Sequence, residues 1–201
     1  AARHDGGMRK EDAMEKRRVR KIPRLPIRVY EHMMSGGCGL GAIRTLLGAF
    51  GIRATEHELA PICRISKELG ITPKAIVRAL KRYGFKVLMN QEQTPSVCWR
   101  GITHWVRRGT PVLVDWFAAG KRCNAIPDGH YSVIIGAGED EHGVKWVWLG
   151  NPEFHWLADR VQRVKWSEFL RAWFDFHGRI PTKKTHFFTR LWIVPYLAVT
   201  K

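Results

Sequence analysis

"DGHYSVIIGAGEDEHGVKWVWLGNP", residues 128–152, sets two runs of β-branched and aromatic residues on either side of the polar turn "GEDEHG". Side chains of that kind fit a pleated surface, and two such runs joined by a polar turn read as a β-hairpin. A hairpin symmetric about Asp140–Glu141 places His130 opposite Asn151. Directly opposed residues have Cβ atoms about 4.5–5.5 Å apart, which lets an Asn amide hydrogen-bond an imidazole. "FKVLMN" (85–90), "PVLVDWF" (111–117) and "HFFTRLWIVPYL" (186–197) have the same character and are further strand candidates.

Upstream the period changes. Leu40, Ile43, Leu46, Leu47 and Phe50 recur at helical spacing, and Gly51 is a suitable stop. "TEHELAPIC" (55–63) opens with Thr55 as N-cap and Glu58 completing a capping box. "TPKAIVRALKRYG" (72–84) has Thr72 as cap, Pro73 at the first helical position and Gly84 at the end. "PSVCWRGITHWVRRG" (95–109) and "WSEFLRAWFDF" (166–176) read as further helices. Helices that mostly precede a run of strands imply an α+β fold, with an N-terminal helical part packed on an antiparallel sheet.

The chain has 201 residues, 45% of them hydrophobic and nine of them Trp, enough to bury the core of one domain. Residues 1–25 read as a basic, flexible arm that precedes a domain over 26–201, because "MRKEDAMEKRRVRKIPRLP" mixes charge signs with few apolar residues. A net charge of +16 implies an acidic partner, with nucleic acid through the basic arm as one candidate. No apolar stretch approaches the roughly 20 residues of a membrane span, and the N-terminus has no hydrophobic signal core. Cys38, Cys63, Cys98 and Cys123 have neither zinc-site spacing nor the density of a disulfide scaffold, so reduced thiols in a cytoplasmic setting are expected, with no metal and no cofactor. Trp146 and Trp148 share one face of their strand, as core residues would.

"SGGCGLGAIRTLLGAFG" (35–51) puts Cys38 among glycines where a helix begins. Exposed N–H groups and the helix dipole favour a thiolate there. Cys38, His130 and Asn151 therefore form a candidate nucleophilic set: a thiol, a base that takes its proton, and an amide that fixes the ring.

These motifs, with "GITPKAIVRALKRYGFKV" (70–87), "TPVLVDW" (110–116) and "VWLGNPEF" (147–154), resemble the papain-like cysteine peptidases of the bacteriocin-processing type, which remove double-glycine leader peptides. The likeness runs from about residue 27 to residue 175. It implies a papain-like fold, a peptide or protein substrate, Cys38 as nucleophile and His130 as general base and acid. Asn151 stands where the family usually has Asp, a change that papain shares. The family also places a Gln six residues before the cysteine as an oxyanion donor, and this chain has His32 there. An imidazole N–H can donate a hydrogen bond, but it is shaped and protonated differently from an amide. The competing expectation is a domain of the same fold without catalysis that docks to RNA or a large assembly through its basic surface.

Overall fold

Gly37 and Gly41 decide how the first helix enters the fold. A computed structural model describes residues 24–66, 70–92, 94–117, 129–153, 157–173 and 190–197. Its helices are α1 (Cys38–Ala49), α2 (Glu56–Cys63), α3 (Pro73–Arg82), α4 (Pro95–Arg107) and α5 (Trp166–Ala172). Its strands are β1 (Lys86–Glu92), β2 (Val112–Phe117), β3 (Gly129–Glu139), β4 (Lys145–Gly150), β5 (Val161–Lys165) and β6 (Arg190–Tyr196). A Cβ on Gly41 would lie 2.8 Å from Pro152 Cβ, and one on Gly37 would lie 2.6 Å from the Met34 carbonyl oxygen. Only glycine lets α1 pack this closely on the loop before it and on the loop after β4.

The local signals translate directly. Gly51 has φ +75° and ends the first helix, while Gly84 has φ +86° beyond the third. Thr55 and Glu58 form the reciprocal capping box of α2. The Thr72 hydroxyl accepts a hydrogen bond from Ala75 N–H at 3.3 Å.

Six strands form one sheet in the order β1-β6-β2-β3-β4-β5, with every neighbouring pair antiparallel. Helices cover both of its faces. Leu40, Ile43, Leu46, Leu47, Ile76 and Leu80 pack with Leu113, Val133, Ile135 and Ile193 on one side. Cys98, Ile102, Val106, Trp166 and Phe169 pack with Val112, Ile134, Val147 and Trp192 on the other. The fold is α+β as expected, but α4 and α5 close the second face, which the order of elements alone leaves open.

Two expectations need correction. The β3–β4 hairpin is not symmetric about Asp140–Glu141: Glu139 pairs with Lys145 and Gly136 with Trp148, and the register then shifts so that Ile134 pairs with Leu149 and Val133 with Gly150. Continuing that register puts Asn151 level with Ser132 rather than with His130. The physical cause of the shift is a bulge at Ile135, whose carbonyl accepts a hydrogen bond from Leu25 N–H at 2.8 Å instead. Arg24 and Leu25 are accordingly not the end of a loose arm. Arg24 bridges to Gly136 and its guanidinium pairs with Asp159 at 2.9 Å, while Leu25 packs on the second apolar cluster. Residues 1–23 lie outside the described residues, as do Cys123 and the segment 186–189 that precedes β6.

Trp146 and Trp148 do share a face, but both are only half-buried. Arg163 lies over the Trp146 ring at 3.9 Å and Arg24 over Trp148 at 5.7 Å. Cations cover these rings, as the ring quadrupole favours.

Candidate active site

Cys38 is the first residue of α1, and its thiol is half-buried against β3. The backbone N–H groups of Tyr131 and Gly39 donate toward the sulfur and hold its pKa down, but burial outweighs them and pushes it up to about 11. The carboxylates of Glu153 and Asp115 add to the rise. A helix N-terminus alone would favour the thiolate; here desolvation wins. The resting group is a protonated thiol. Alkylation of Cys38 by iodoacetamide is therefore expected to be slow at neutral pH and to climb with pH toward about 11. A rate that stays flat between pH 6 and 9 would mean a preformed thiolate, contrary to this environment.

His130 is the second residue of β3, adjoining the Tyr131 backbone that touches the thiol, and only 4% of it is exposed. Its Nε2 lies 2.7 Å from Asn151 Oδ1. That same oxygen accepts the Glu153 N–H at 2.8 Å, in a turn that fixes which way the amide points. Because Oδ1 can only accept, His130 Nε2 must carry a proton, and in the neutral ring Nδ1 is then the bare nitrogen. Burial lowers the pKa of His130, with Glu153 and the Asn151 contact opposing and His32 assisting. A neutral imidazole with a free lone pair at Nδ1 is a base ready to accept a proton. The Trp116 ring meets the His130 ring edge-on at 6.1 Å, and its Nε1–H donates to Ser132 Oγ at 3.0 Å.

The expected pairing of His130 with Asn151 is thus present, reached by a different route. Asn151 is fully buried and follows β4, where its N–H donates to Arg160 O at 2.9 Å. Its side chain meets His130 diagonally across the hairpin. Its Nδ2 is buried with no hydrogen-bond partner among the described residues.

His32 sits in the loop before α1. Its Nδ1 donates to the Met34 carbonyl at 3.1 Å, and that carbonyl also accepts Gly37 N–H at 2.9 Å. The loop is anchored from α2: Glu56, 5% exposed, accepts the Met33 N–H at 2.9 Å and the Met34 N–H at 3.0 Å. Arg44 Nη1 balances Glu56 at 3.5 Å.

Glu153 and Glu56 also take part in this site, though neither stands out in the sequence. Glu153 Oε1 lies 3.5 Å from His32 Nε2, and its Oε2 lies 3.7 Å from His130 Nδ1. The signal available for Glu153 was its position two residues after Asn151 in "NPEF". Among the described residues, His32 and His130 face this carboxylate, its charge acts on the Cys38 thiol, and the Glu153 N–H donates to Asn151. His57, His104 and His142 lie on other elements, and no group of three or more His, Cys, Asp or Glu has the geometry to hold a metal ion among the described residues. No helix among them is long and apolar enough to cross a membrane.

Comparison with known proteins bears on the family and the fold. The profile of the Peptidase_C39 like family matches residues 22–180, so the chain belongs to that family. Its fold is similar to the peptidase domain of Streptococcus ComA, a bi-functional ABC transporter involved in a quorum sensing pathway. That match has 18% identity and a TM-score of 0.57, over 85% of this chain and 99% of that one. It is also similar to a double glycine motif protease from an AMS/PCAT transporter in complex with the leader peptide. There the identity is 17% and the TM-score 0.56, over 86% of this chain and 94% of the other. A search of curated protein sequences gives no match.

Proposed function

We propose that this chain is a cysteine peptidase that cuts a leader peptide after a double glycine. The observation that carries the reading is the His130–Asn151 pair, which leaves a bare Nδ1 on a buried ring next to Tyr131, whose N–H donates toward the Cys38 sulfur. Membership of the Peptidase_C39 like family supports it, as does the likeness to a double glycine motif protease in complex with a leader peptide.

In this mechanism Cys38 Sγ attacks the carbonyl carbon of the second glycine while its proton passes to His130 Nδ1. The C=O electron pair moves onto oxygen, where N–H groups at the start of α1 and the His32 ring can stabilise it. Collapse of that intermediate breaks the C–N bond, and His130 returns its proton to the departing amine. Water, deprotonated by His130, then cleaves the thioester and the thiol recovers its proton. Asn151 keeps the imidazole in the productive tautomer throughout. Because thiol and imidazole are both neutral at rest, proton transfer accompanies attack.

A second reading, peptide binding without cleavage, has the high Cys38 pKa of about 11 on its side. Incubation with a leader peptide that ends in Gly-Gly before a short cargo separates the two. Mass spectrometry is expected to find a single cut after the second glycine, lost when that glycine is replaced by a bulky residue. Saturable binding with the peptide left intact would establish the non-catalytic reading.

A further inference from the structure

His32 occupies the position where the resembling peptidases carry an amide, and it has a neighbour that an amide does not need. Glu153 faces His32 Nε2 with one oxygen at 3.5 Å and His130 Nδ1 with the other at 3.7 Å. The opposite nitrogen of each ring is already committed as a donor: His32 Nδ1 to the Met34 carbonyl, His130 Nε2 to Asn151 Oδ1. In their neutral forms both rings would turn a bare lone pair toward a carboxylate. That is repulsive, and it leaves His32 with nothing to donate. One added proton removes the conflict. Of the two places it can go, His130 is almost fully buried and His32 is not, so solvation favours the charge on His32.

We propose that Glu153 is a positioning residue that holds His32 as an imidazolium, so that its Nε2–H serves as the side-chain oxyanion donor. This rests on the cysteine peptidase reading above. His32 donates a hydrogen bond and keeps its proton throughout. At 3.5 Å the contact with Glu153 is an ion pair longer than an ordinary hydrogen bond, so the N–H is left open to an incoming oxyanion while the carboxylate still balances the charge. A charged donor forms a stronger hydrogen bond to an oxyanion than a neutral amide does.

The electrostatics agree in direction. The pKa of His32 is raised, chiefly by Glu153, against burial and with help from the Met34 carbonyl and Glu56. That of His130 is lowered, chiefly by burial, and the His32 charge adds to the fall. The other charged groups nearby are engaged elsewhere: Glu56 on α2 binds the Met33 and Met34 N–H groups and faces Arg44, while Asp115 on β2 acts on the Cys38 thiol. Activity then has two limbs. It rises with pH as His130 loses its proton, and it falls at higher pH as His32 loses its own.

The test uses Glu153→Gln, Glu153→Asp and His32→Gln in the full chain. Turnover of a Gly-Gly leader peptide against pH is expected to lose its falling limb in His32→Gln, since an amide donor does not titrate. In Glu153→Gln that limb moves about one pH unit lower or more, and Glu153→Asp restores it. In parallel, the His32 ring is titrated by NMR in Cys38→Ala with and without Glu153→Gln. A drop in its pKa on loss of the carboxylate is expected. A falling limb that survives in His32→Gln, or a His32 titration unmoved in Glu153→Gln, overturns the proposal. The two readings fail separately: turnover that persists in Cys38→Ala strikes at the peptidase reading, while the NMR titration judges the His32–Glu153 pair without any turnover.

Discussion

Cys38→Ala is expected to lower kcat on a cleavable leader peptide by about 10⁴-fold or more, and His130→Ala by a similar factor. The size follows from what each group does in the proposed mechanism. Without the sulfur no thioester forms, and without the imidazole a thiol whose pKa is about 11 has no local base to take its proton. The two losses are not additive, because both groups act in the same step, so the double variant is expected to be no slower than either single one. Asn151→Ala is expected to cost less, since the ring survives but loses the contact at 2.7 Å that fixes its tautomer. The check is single-turnover kinetics with mass spectrometry for the acyl-enzyme on Cys38. Cleavage that continues at the wild-type rate in Cys38→Ala would remove the thiol from the chemistry.

Trp173→Ala is expected to destabilise the fold by about 3–5 kcal/mol, near the top of the range for one core truncation. Trp173 is 0% exposed and its ring stands 5.1 Å from Phe169 and 5.7 Å from Trp166. Its Nε1–H donates to Leu191 O at 3.1 Å, so the substitution also takes a partner from a buried strand carbonyl. For a chain of this size the loss corresponds to a fall in Tm of roughly 6–20 °C. Trp146→Ala is the internal comparison. That ring is half-buried under Arg163, and its loss is expected to cost about 1 kcal/mol. Urea unfolding of both variants measures the contrast, and equal midpoints would show that the α5 side of the sheet is not the packed core described.

Residues that act on their neighbours were legible in the sequence. Gly51, Gly84, the Thr55–Glu58 box and the Thr72–Pro73 start mark helix ends, because caps and left-handed turns depend on a few adjacent residues. Cys38, His130 and Asn151 were legible as candidates for the same reason: each stands at an element end, where polar side chains have a purpose. What failed depends on distant segments. The hairpin register is displaced because Leu25 takes the Ile135 carbonyl, and nothing within residues 128–152 announces that. Glu153 reads as an ordinary turn residue until the fold sets His32 beside it. Glu56 looks like the spectator of the capping box, yet it, rather than Glu58, is the buried anchor of the loop before Cys38. The thiol's charge state was misjudged because a helix N-terminus is visible in sequence and the burial of a sulfur is not.

The strand order carries a consequence for how the chain is made. β6, the last strand described, lies between β1 and β2, pairing Lys86–Glu92 on one side and Leu113–Val114 on the other. Until it is synthesised, β1 and β2 have no ladder joining them in the sheet, and each presents an open row of backbone donors and acceptors to any strand nearby. A nascent chain threaded through the ribosome can therefore assemble α1–α3 early, but the two parts of the sheet wait for residue 196. Closure between such distant segments is entropically costly and slow. During that wait the unfinished molecule is at its most vulnerable to mispairing, and a chaperone has most reason to hold it.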